Sequence, residues 1–351
     1  MSKIKTASLG FSRIGKNREL KFALEKYWGG LISKSELDDV AKKIRKENWQ
    51  LQEKLDYIPS GDFSYYDHVL DLSFEFNNIP TKFNVIKDGL DKYFAVARGY
   101  QNTQEKLDLH AAELSKWFNT NYHYIVPEFH KDIKLQYNAN KFVSQFLEAK
   151  KLNIFTRPVI IGPVSYLLLG KEKTITRNQV FDDLLQCYVD LLKDLKNNGA
   201  TDIQIDEPYL ATEINEDIKK LYVNSYQKLK DLGLNIHLTT YFDEVKENLE
   251  LAFSLPVYSV HLDLSEDEFK LPDVKILTNL AKSTNKAISL GIVNGRNIWK
   301  NNIKKSLKLV KEVIESYSKE KIIISSSCSL LHVPYSTDFE TKLDILIKNR
   351  L

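Results

Sequence analysis

Four cations crowd one short stretch, LGFSRIGKNRELKFAL at residues 9–24: Arg13, Lys16, Arg18 and Lys21. A hydrophobic run ends at Gly10, and a helical pattern opens near Arg18 with Asn17 in the N-cap position. The first turn of a helix has N–H groups without intrahelical partners and carries partial positive charge, so it favours Asp or Glu. Each exposed cation there costs roughly a few tenths of a kcal/mol, and Glu19 offsets part of that. Arg18 and Lys21 are three apart and share a face. The pattern makes sense if an anion docks here, because free N–H groups, dipole and cations all attract it. Arg18 would hold a carboxylate through its two-pronged fork and Lys21 would act as a point charge. A solvated basic turn with no ligand fits the same residues, and the sequence leaves both open.

Other chemistry-bearing residues are less pointed. Asp206 and Glu207 lie in DIQIDEP. Neighbouring strand residues face opposite ways, so the two carboxylates diverge and do not share one proton-transfer site. One of them would face inward and orient a ligand; the alternative is a hydrogen-bonded strand end. The seven histidines are scattered, and the best local metal pair, Cys328 and His332, straddles a strand exit in SSSCSLLHVP. Their side chains need not converge, and a structural role is expected. Cys187 sits in an amphipathic helix as a small core residue. In SKWFNTNYHY (115–124), Trp117, Phe118, Tyr122 and Tyr124 read as core, with Lys116 beside them as an anion contact if its loop is exposed. No GxGxxG, GxxxxGK[ST] or GxSxG motif occurs.

The elements that must position these residues alternate between short apolar strands and amphipathic helices. Strand candidates are 4–10, 56–63, 121–129, 158–163, 202–208, 235–242, 258–265, 287–295 and 321–328. Strand–helix alternation implies a parallel sheet, and this many units favours an α/β fold of the (βα)8 TIM-barrel type over an open sheet. Nine candidates exceed the ring by one, so one of them lies outside it. Helices are expected over 34–56 through Leu37, Val40, Ile44 and Leu51, over 178–199 with Gly199 as C-cap, and over 303–318 through Ile303, Leu307, Val310 and Ile314. Weak strand signals over 64–120 predict a helical excursion. No Gly-, Pro- or Ser-rich linker divides the chain, so residues 1–351 are read as a single barrel domain. Barrels work at their strand C-termini. Those positions here include Gly10 to Arg13, Asp62, Glu128, Asp206, Glu207, Asp263, Asn294 and Ser325 to Cys328.

Composition narrows the class. The 351 residues hold 50 basic and 47 acidic side chains, a net charge of +3, which is too balanced for a nucleic-acid protein. Apolar residues make up 43%, enough for a large core. Two cysteines, no signal-like leader and no window near the ~18 apolar residues of a membrane span point to the cytoplasm.

The opening stretch also carries a resemblance. LGFSRIGKNRELK resembles the amino-terminal motif of cobalamin-independent methionine synthase, the 5-methyltetrahydropteroyltriglutamate–homocysteine methyltransferase family. Further matches follow in order: YWGGLIS (27–33), IPSGDFSYYDHVLD (58–71), KWFNTNYHYIVPEF (116–129), RPVIIGPVSYLLLGK (157–171), DIQIDEPYL (202–210), LGIVNGRNIW (290–299) and SSSCSLLHVP (325–334). They span almost the whole chain.

The resemblance implies two face-to-face (βα)8 barrels in the complete enzyme. That enzyme passes a methyl group from methyltetrahydrofolate polyglutamate to homocysteine, with zinc activating the thiol. It assigns folate-polyglutamate binding to Arg18, Glu19, Leu20 and Lys21, and to Lys116. The family's zinc ligands, homocysteine pocket and proton donor lie in the carboxyl-terminal barrel, and this sequence ends at DILIKNRL, where the linker to it is expected. It follows that no catalytic or metal-binding residue and no bound cofactor are expected here, and that Asp206 and Glu207 are a non-catalytic echo of a second-barrel motif. The implied partners are 5-methyltetrahydropteroyltriglutamate and the zinc-bearing barrel, in cis or as a separate chain. The first functional reading is the folate-binding half of a methyltransferase, inactive alone. The alternative is a stand-alone non-catalytic barrel that binds folate polyglutamate or a protein.

Overall fold

Along residues 202–206, Ile203 and Ile205 alternate with Gln204 and Asp206, and the next strand repeats the pattern with Ile236 and Leu238 against His237 and Thr239. The aliphatic set is buried against helices. The polar set is buried too, on the opposite face, so the sheet must curl around it. The computed structural model describes residues 3–138, 141–265, 273–338 and 340–351. Eight parallel strands form the sheet: β1 (Lys5–Ala7), β2 (Ile58–Ser60), β3 (Thr156–Ile161), β4 (Asp202–Asp206), β5 (Asn235–Thr239), β6 (Ser259–Asp263), β7 (Ala287–Val293) and β8 (Ile322–Ser326). Their spatial order is β1-β8-β7-β6-β5-β4-β3-β2. A single bridge between Ala7 and Tyr57 joins the two ends, with Tyr57 N–H donating to Thr6 O at 3.0 Å. The result is a nearly closed barrel.

Its interior is polar where such barrels are usually packed with branched aliphatics. Arg157, 3% exposed, donates to Gln204 Oε1 at 2.7 Å, and Gln204 Nε2 donates to Leu9 O at 3.0 Å across the ring. His237 packs its ring 4.9 Å from Tyr57 and shares a 2.8 Å hydrogen bond with Ser259. His261 does the same with Ser289. Both imidazoles are pushed down to about 4, chiefly by burial, which keeps them neutral.

Helices cover the outside: α1 (Glu19–Trp28), α2 (Lys34–Leu51), α3 (His68–Glu75), α4 (Leu90–Arg98), α5 (Lys141–Lys151), α6 (Pro163–Leu169), α7 (Arg177–Asn197), α8 (Glu216–Lys230), α9 (Leu249–Ser254), α10 (Val274–Thr284), α11 (Ile303–Ser316) and α12 (Ile345–Lys348). The 21-residue α7 buries Leu184, Tyr188, Leu191 and Leu195, and Cys187 is core as read. Gly199 follows the Asn198 C-cap at φ +100°, the left-handed position that favours glycine. Among the described residues no helix is long and apolar enough to cross a membrane.

Some expectations hold and others need correction. The one strand candidate expected outside the ring is 121–129, and it does lie outside. Its His123–Ile125 segment pairs antiparallel with Leu114–Lys116, and Glu128–Phe129 pairs with Lys171–Glu172. The excursion between β2 and β3 is longer than 64–120 and not wholly helical, since it also holds a hairpin of Tyr100–Asn102 with Leu107–Leu109. Helix α11 turns Leu309, Val310 and Val313 inward, while Ile303 and Leu307 are more than half exposed. Leu51 is exposed at the end of α2 as well. Periodicity located these helices and put Leu37, Ile44 and Val310 on the buried side, but not the edges of each stripe.

Candidate functional site

The chain leaving β1 turns into α1, and here the cap differs from the expected one. Asn17 is not the N-cap. Its backbone N–H and its Nδ2 both donate to the Glu19 carboxylate, at 2.8 and 3.1 Å. Glu19 therefore folds back and holds the loop, and the helix starts one residue later. Arg18 becomes the N-cap, in the left-handed region at φ 63°, ψ 32°, with no side-chain capping bond. A non-glycine residue there is strained, and such strain gathers at functional positions.

The RELK residues divide by role. Leu20 is fully buried among Ala23, Leu24, Leu37, Ala41 and Ile44 and anchors the helix, so its side chain does not reach a ligand. Its N–H is taken by Ile14 O at 3.1 Å, which leaves fewer free N–H groups at the helix start than expected. Arg18 and Lys21 are exposed, and Lys21 Nζ lies 3.9 Å from Glu25, a loose surface pair of little energetic weight. Lys116 is exposed at the end of its hairpin strand, opposite His123. Trp117 and Tyr124 are core, while Phe118 and Tyr122 are half-buried against it.

Between the helix start and this hairpin stands Arg13. It is half-buried, and its Nη1 donates to Ser64 O at 3.2 Å and Tyr65 O at 3.0 Å. Its charge acts on Tyr66, His68 and Tyr122. The barrel mouth beyond it is aromatic. Phe118 packs against Tyr209 and Phe242, Phe242 packs against His332, and His332 packs against Tyr122, with ring centroids 5.1–5.8 Å apart. Arg296 lies 5.4 Å from the Phe242 ring and donates to Phe242 O at 3.1 Å. Reading the sequence missed Arg296, Phe242, Tyr209 and His332 as neighbours of Phe118 and Tyr122. The available signal was their position just past strand C-termini.

The IDEP carboxylates diverge as read. Asp206 points into the barrel, accepting from Gln204 Nε2 at 2.8 Å and Tyr241 OH at 3.1 Å. Glu207 points outward and caps α6, accepting from Val164 N and Ser165 N at 3.3 and 2.8 Å and from the Tyr222 and Tyr226 hydroxyls. A Cβ on Gly162 would collide with that carboxylate, so glycine permits the approach. Burial raises both acids to about 7. Cys328 is buried with its thiol toward Ser329 O, and His332 turns to the aromatics. Among the described residues no group of three or more His, Cys, Asp or Glu could hold a metal ion. The residues here thus do not fit a zinc site.

Residues 5–318 match the family described as "Cobalamin-independent synthase, N-terminal domain". The chain is 46% identical to the 5-methyltetrahydropteroyltriglutamate–homocysteine methyltransferase of Flavobacterium johnsoniae, covering 96% of this chain and 44% of that protein. It is 42% identical to the Saccharomyces cerevisiae enzyme of the same name, over 98% of this chain and 46% of that one. The chain thus spans about half the length of the curated relatives it matches. Solved structures share the fold at low identity. A B12-independent methionine synthase from Shewanella sp. W3-18-1 aligns with a TM-score of 0.68 at 12% identity, covering 95% of this chain and 93% of that one. The putative vitamin-B12 independent methionine synthase of Listeria monocytogenes aligns with a TM-score of 0.59 at 14% identity, covering 94% of this chain and 92% of that one. With the match covering nearly every barrel strand and the relatives collinear from end to end of the sequence, this chain belongs to the cobalamin-independent methionine synthase family, as its amino-terminal domain.

Proposed function

We propose that residues 1–351 act as one barrel domain that grips the polyglutamate tail of 5-methyltetrahydropteroyltriglutamate for methyl transfer to homocysteine. The observation that carries this reading is the start of α1, where Arg18 is held in a strained left-handed conformation with its guanidinium in solvent. The tail is a string of carboxylates. Arg18 and Lys21 offer charge from one side, and Lys116 offers it from the hairpin. Glu19 and Leu20 serve the site indirectly, Glu19 by closing the loop and Leu20 by seating the helix. These residues bind and orient; none stands where it could move a methyl group or a proton to it. Zinc and homocysteine chemistry is assigned to a second, carboxyl-terminal barrel, and the chain alone is inactive. The setting is the cytoplasm, where Cys187 and Cys328 stay reduced.

Calorimetry with pteroyltriglutamate and pteroylmonoglutamate tests the grip. Tighter binding of the triglutamate, lost on Arg18→Ala and Lys21→Ala and weakened by salt, is expected. Equal affinity for the two ligands removes the proposal. Methyl transfer measured with added zinc is expected only when the carboxyl-terminal barrel is present; turnover by this chain alone overturns the division of labour.

A further inference from the structure

The outer wall of the barrel carries a groove that tail binding does not use. It lies between α2, α3, α4 and α5 and has a volume of about 660 Å³. That is within the range of small-molecule sites, roughly 300–1,000 Å³. None of Arg18, Lys21 and Lys116 lines it. Its basic side chains are already matched by acids. Lys34 pairs with Asp38, Arg45 with Glu148, Lys92 with Asp88 and Lys141 with Asp71. Arg45, Lys92 and Asp71 are each less than a tenth exposed. A charged guest would leave itself or one of these groups unpaired and out of water, which is costly. The groove therefore favours a neutral guest.

Acceptors, by contrast, are in surplus. Asp71 takes the Tyr93 hydroxyl on one oxygen at 2.7 Å and the Lys141 ammonium on the other. A carboxylate can accept about four hydrogen bonds, so each oxygen keeps a lone pair to offer. Gln145 lines the groove and is 7% exposed. Its Nε2 donates to Phe63 O at 3.3 Å, and its Oε1 has no hydrogen-bond partner. An amide oxygen left so is expensive in a folded protein, and a guest that donates to it relieves the cost. Beside these acceptors the rings of Phe74 and Tyr93 meet with centroids 5.2 Å apart. Phe74 is only half-buried and presents part of its ring to the groove. Acceptors set next to an aromatic wall suit a molecule with hydroxyls at its edges and C–H groups on its faces.

We infer that this groove is a binding site for a neutral polyhydroxylated molecule, a mono- or disaccharide. Its hydroxyls donate to Gln145 Oε1 and Asp71, and its C–H face lies on Phe74. The site stands whether or not Arg18 grips a polyglutamate tail.

Saturation-transfer NMR and calorimetry on the intact chain test it. Glucose, galactose and maltose are the neutral probes; glucose 6-phosphate and glucosamine are charged counterparts with the same ring. At least one neutral probe is expected to bind, and its charged counterparts to bind several-fold more weakly. Gln145→Met removes the unpartnered acceptor and is expected to weaken the neutral probe about fivefold, the worth of one hydrogen bond. Ser144→Trp places bulk on the exposed edge of α5 without touching the ion pairs and is expected to abolish binding. Thermal melts check that both variants fold, and if Gln145→Met does not, Ser144→Trp decides. The inference fails if none of the neutral probes binds the parent. It also fails if the folded variants bind as tightly as the parent, or if a charged counterpart binds as well as the neutral sugar.

Discussion

Replacing Arg18 by glycine separates what this residue does for the fold from what it does for a ligand. Its backbone sits at φ 63°, ψ 32°. An L-residue with a Cβ carries a cost of about 1–2 kcal/mol in that region, and glycine carries none. Glycine gives back about 0.5–1 kcal/mol through the greater freedom of its unfolded chain. The Arg18→Gly protein is therefore expected to be about 0.5–1 kcal/mol more stable than Arg18→Ala, which keeps the strain and drops the charge. In a chain of 351 residues this difference moves Tm by only about 1 °C, so urea titration at constant slope is the suitable assay, with a midpoint shift of about a few tenths molar. Both variants lose the same guanidinium. A charge-assisted contact is worth about 1.5–3 kcal/mol, and the exposed site puts this one at the lower end, so each should bind the triglutamate about tenfold more weakly at low salt. Equal stability of the two variants refutes the strain argument. Parent-like binding by either refutes the gripping role.

Lys116→Ala should weaken triglutamate binding at low ionic strength, and the difference from the parent should vanish near 1 M salt, where the screening length falls to about 3 Å; a salt-independent difference would point to lost packing instead. Glu207→Ala strands two α6 N–H groups and two tyrosine hydroxyls, and a loss of about 3 kcal/mol or more in urea unfolding is expected. Glu207→Gln should recover part of it, and a variant within about 0.5 kcal/mol of the parent would count against the capping role. Asp206 keeps its proton to about 7 when folded, whereas an unfolded aspartate loses it near pH 4. Its contribution to stability is therefore complete below pH 4 and is lost as pH rises through 7, with a slope of up to about 1.4 kcal/mol per pH unit. Asp206→Asn should flatten that part of the stability profile, and an unchanged slope would show that another group titrates there.

The barrel was legible because its longer strands bury one aliphatic face, and Ile203, Ile205, Ile236 and Leu238 announce that face locally. The divergence of Asp206 and Glu207 followed from strand alternation for the same reason. What stayed hidden depended on competition or distance. Asn17 has the right type for an N-cap, but the Glu19 carboxylate captures its N–H, and no propensity scale ranks those two outcomes. Ile303 and Leu307 have helical spacing, yet the contact that decides which stripe is buried lies on the barrel. The mouth joins Tyr122 to Leu331 and His332, more than two hundred positions apart, through a 2.8 Å bond and a ring contact. Only closure of the ring puts them side by side.

That closure has one uneven joint. Seven strand pairs are laddered, whereas β1 meets β2 through the Ala7–Tyr57 bridge alone. Three backbone hydrogen bonds, from Ser8 N–H to Tyr57 O and from Asp56 and Tyr57 N–H to Thr6 O, cross there, and side chains rivet the joint further. Below, Asp56 takes the Thr6 N–H and hydroxyl and the Lys3 ammonium; above, Asp62 takes the Phe11 N–H and Arg13 takes two carbonyls from the far side. Arg18 rides on the segment leaving β1 and Lys116 on the long excursion leaving β2. The two expected tail-binding cations therefore follow the two strands that meet at the least laddered joint of the cylinder.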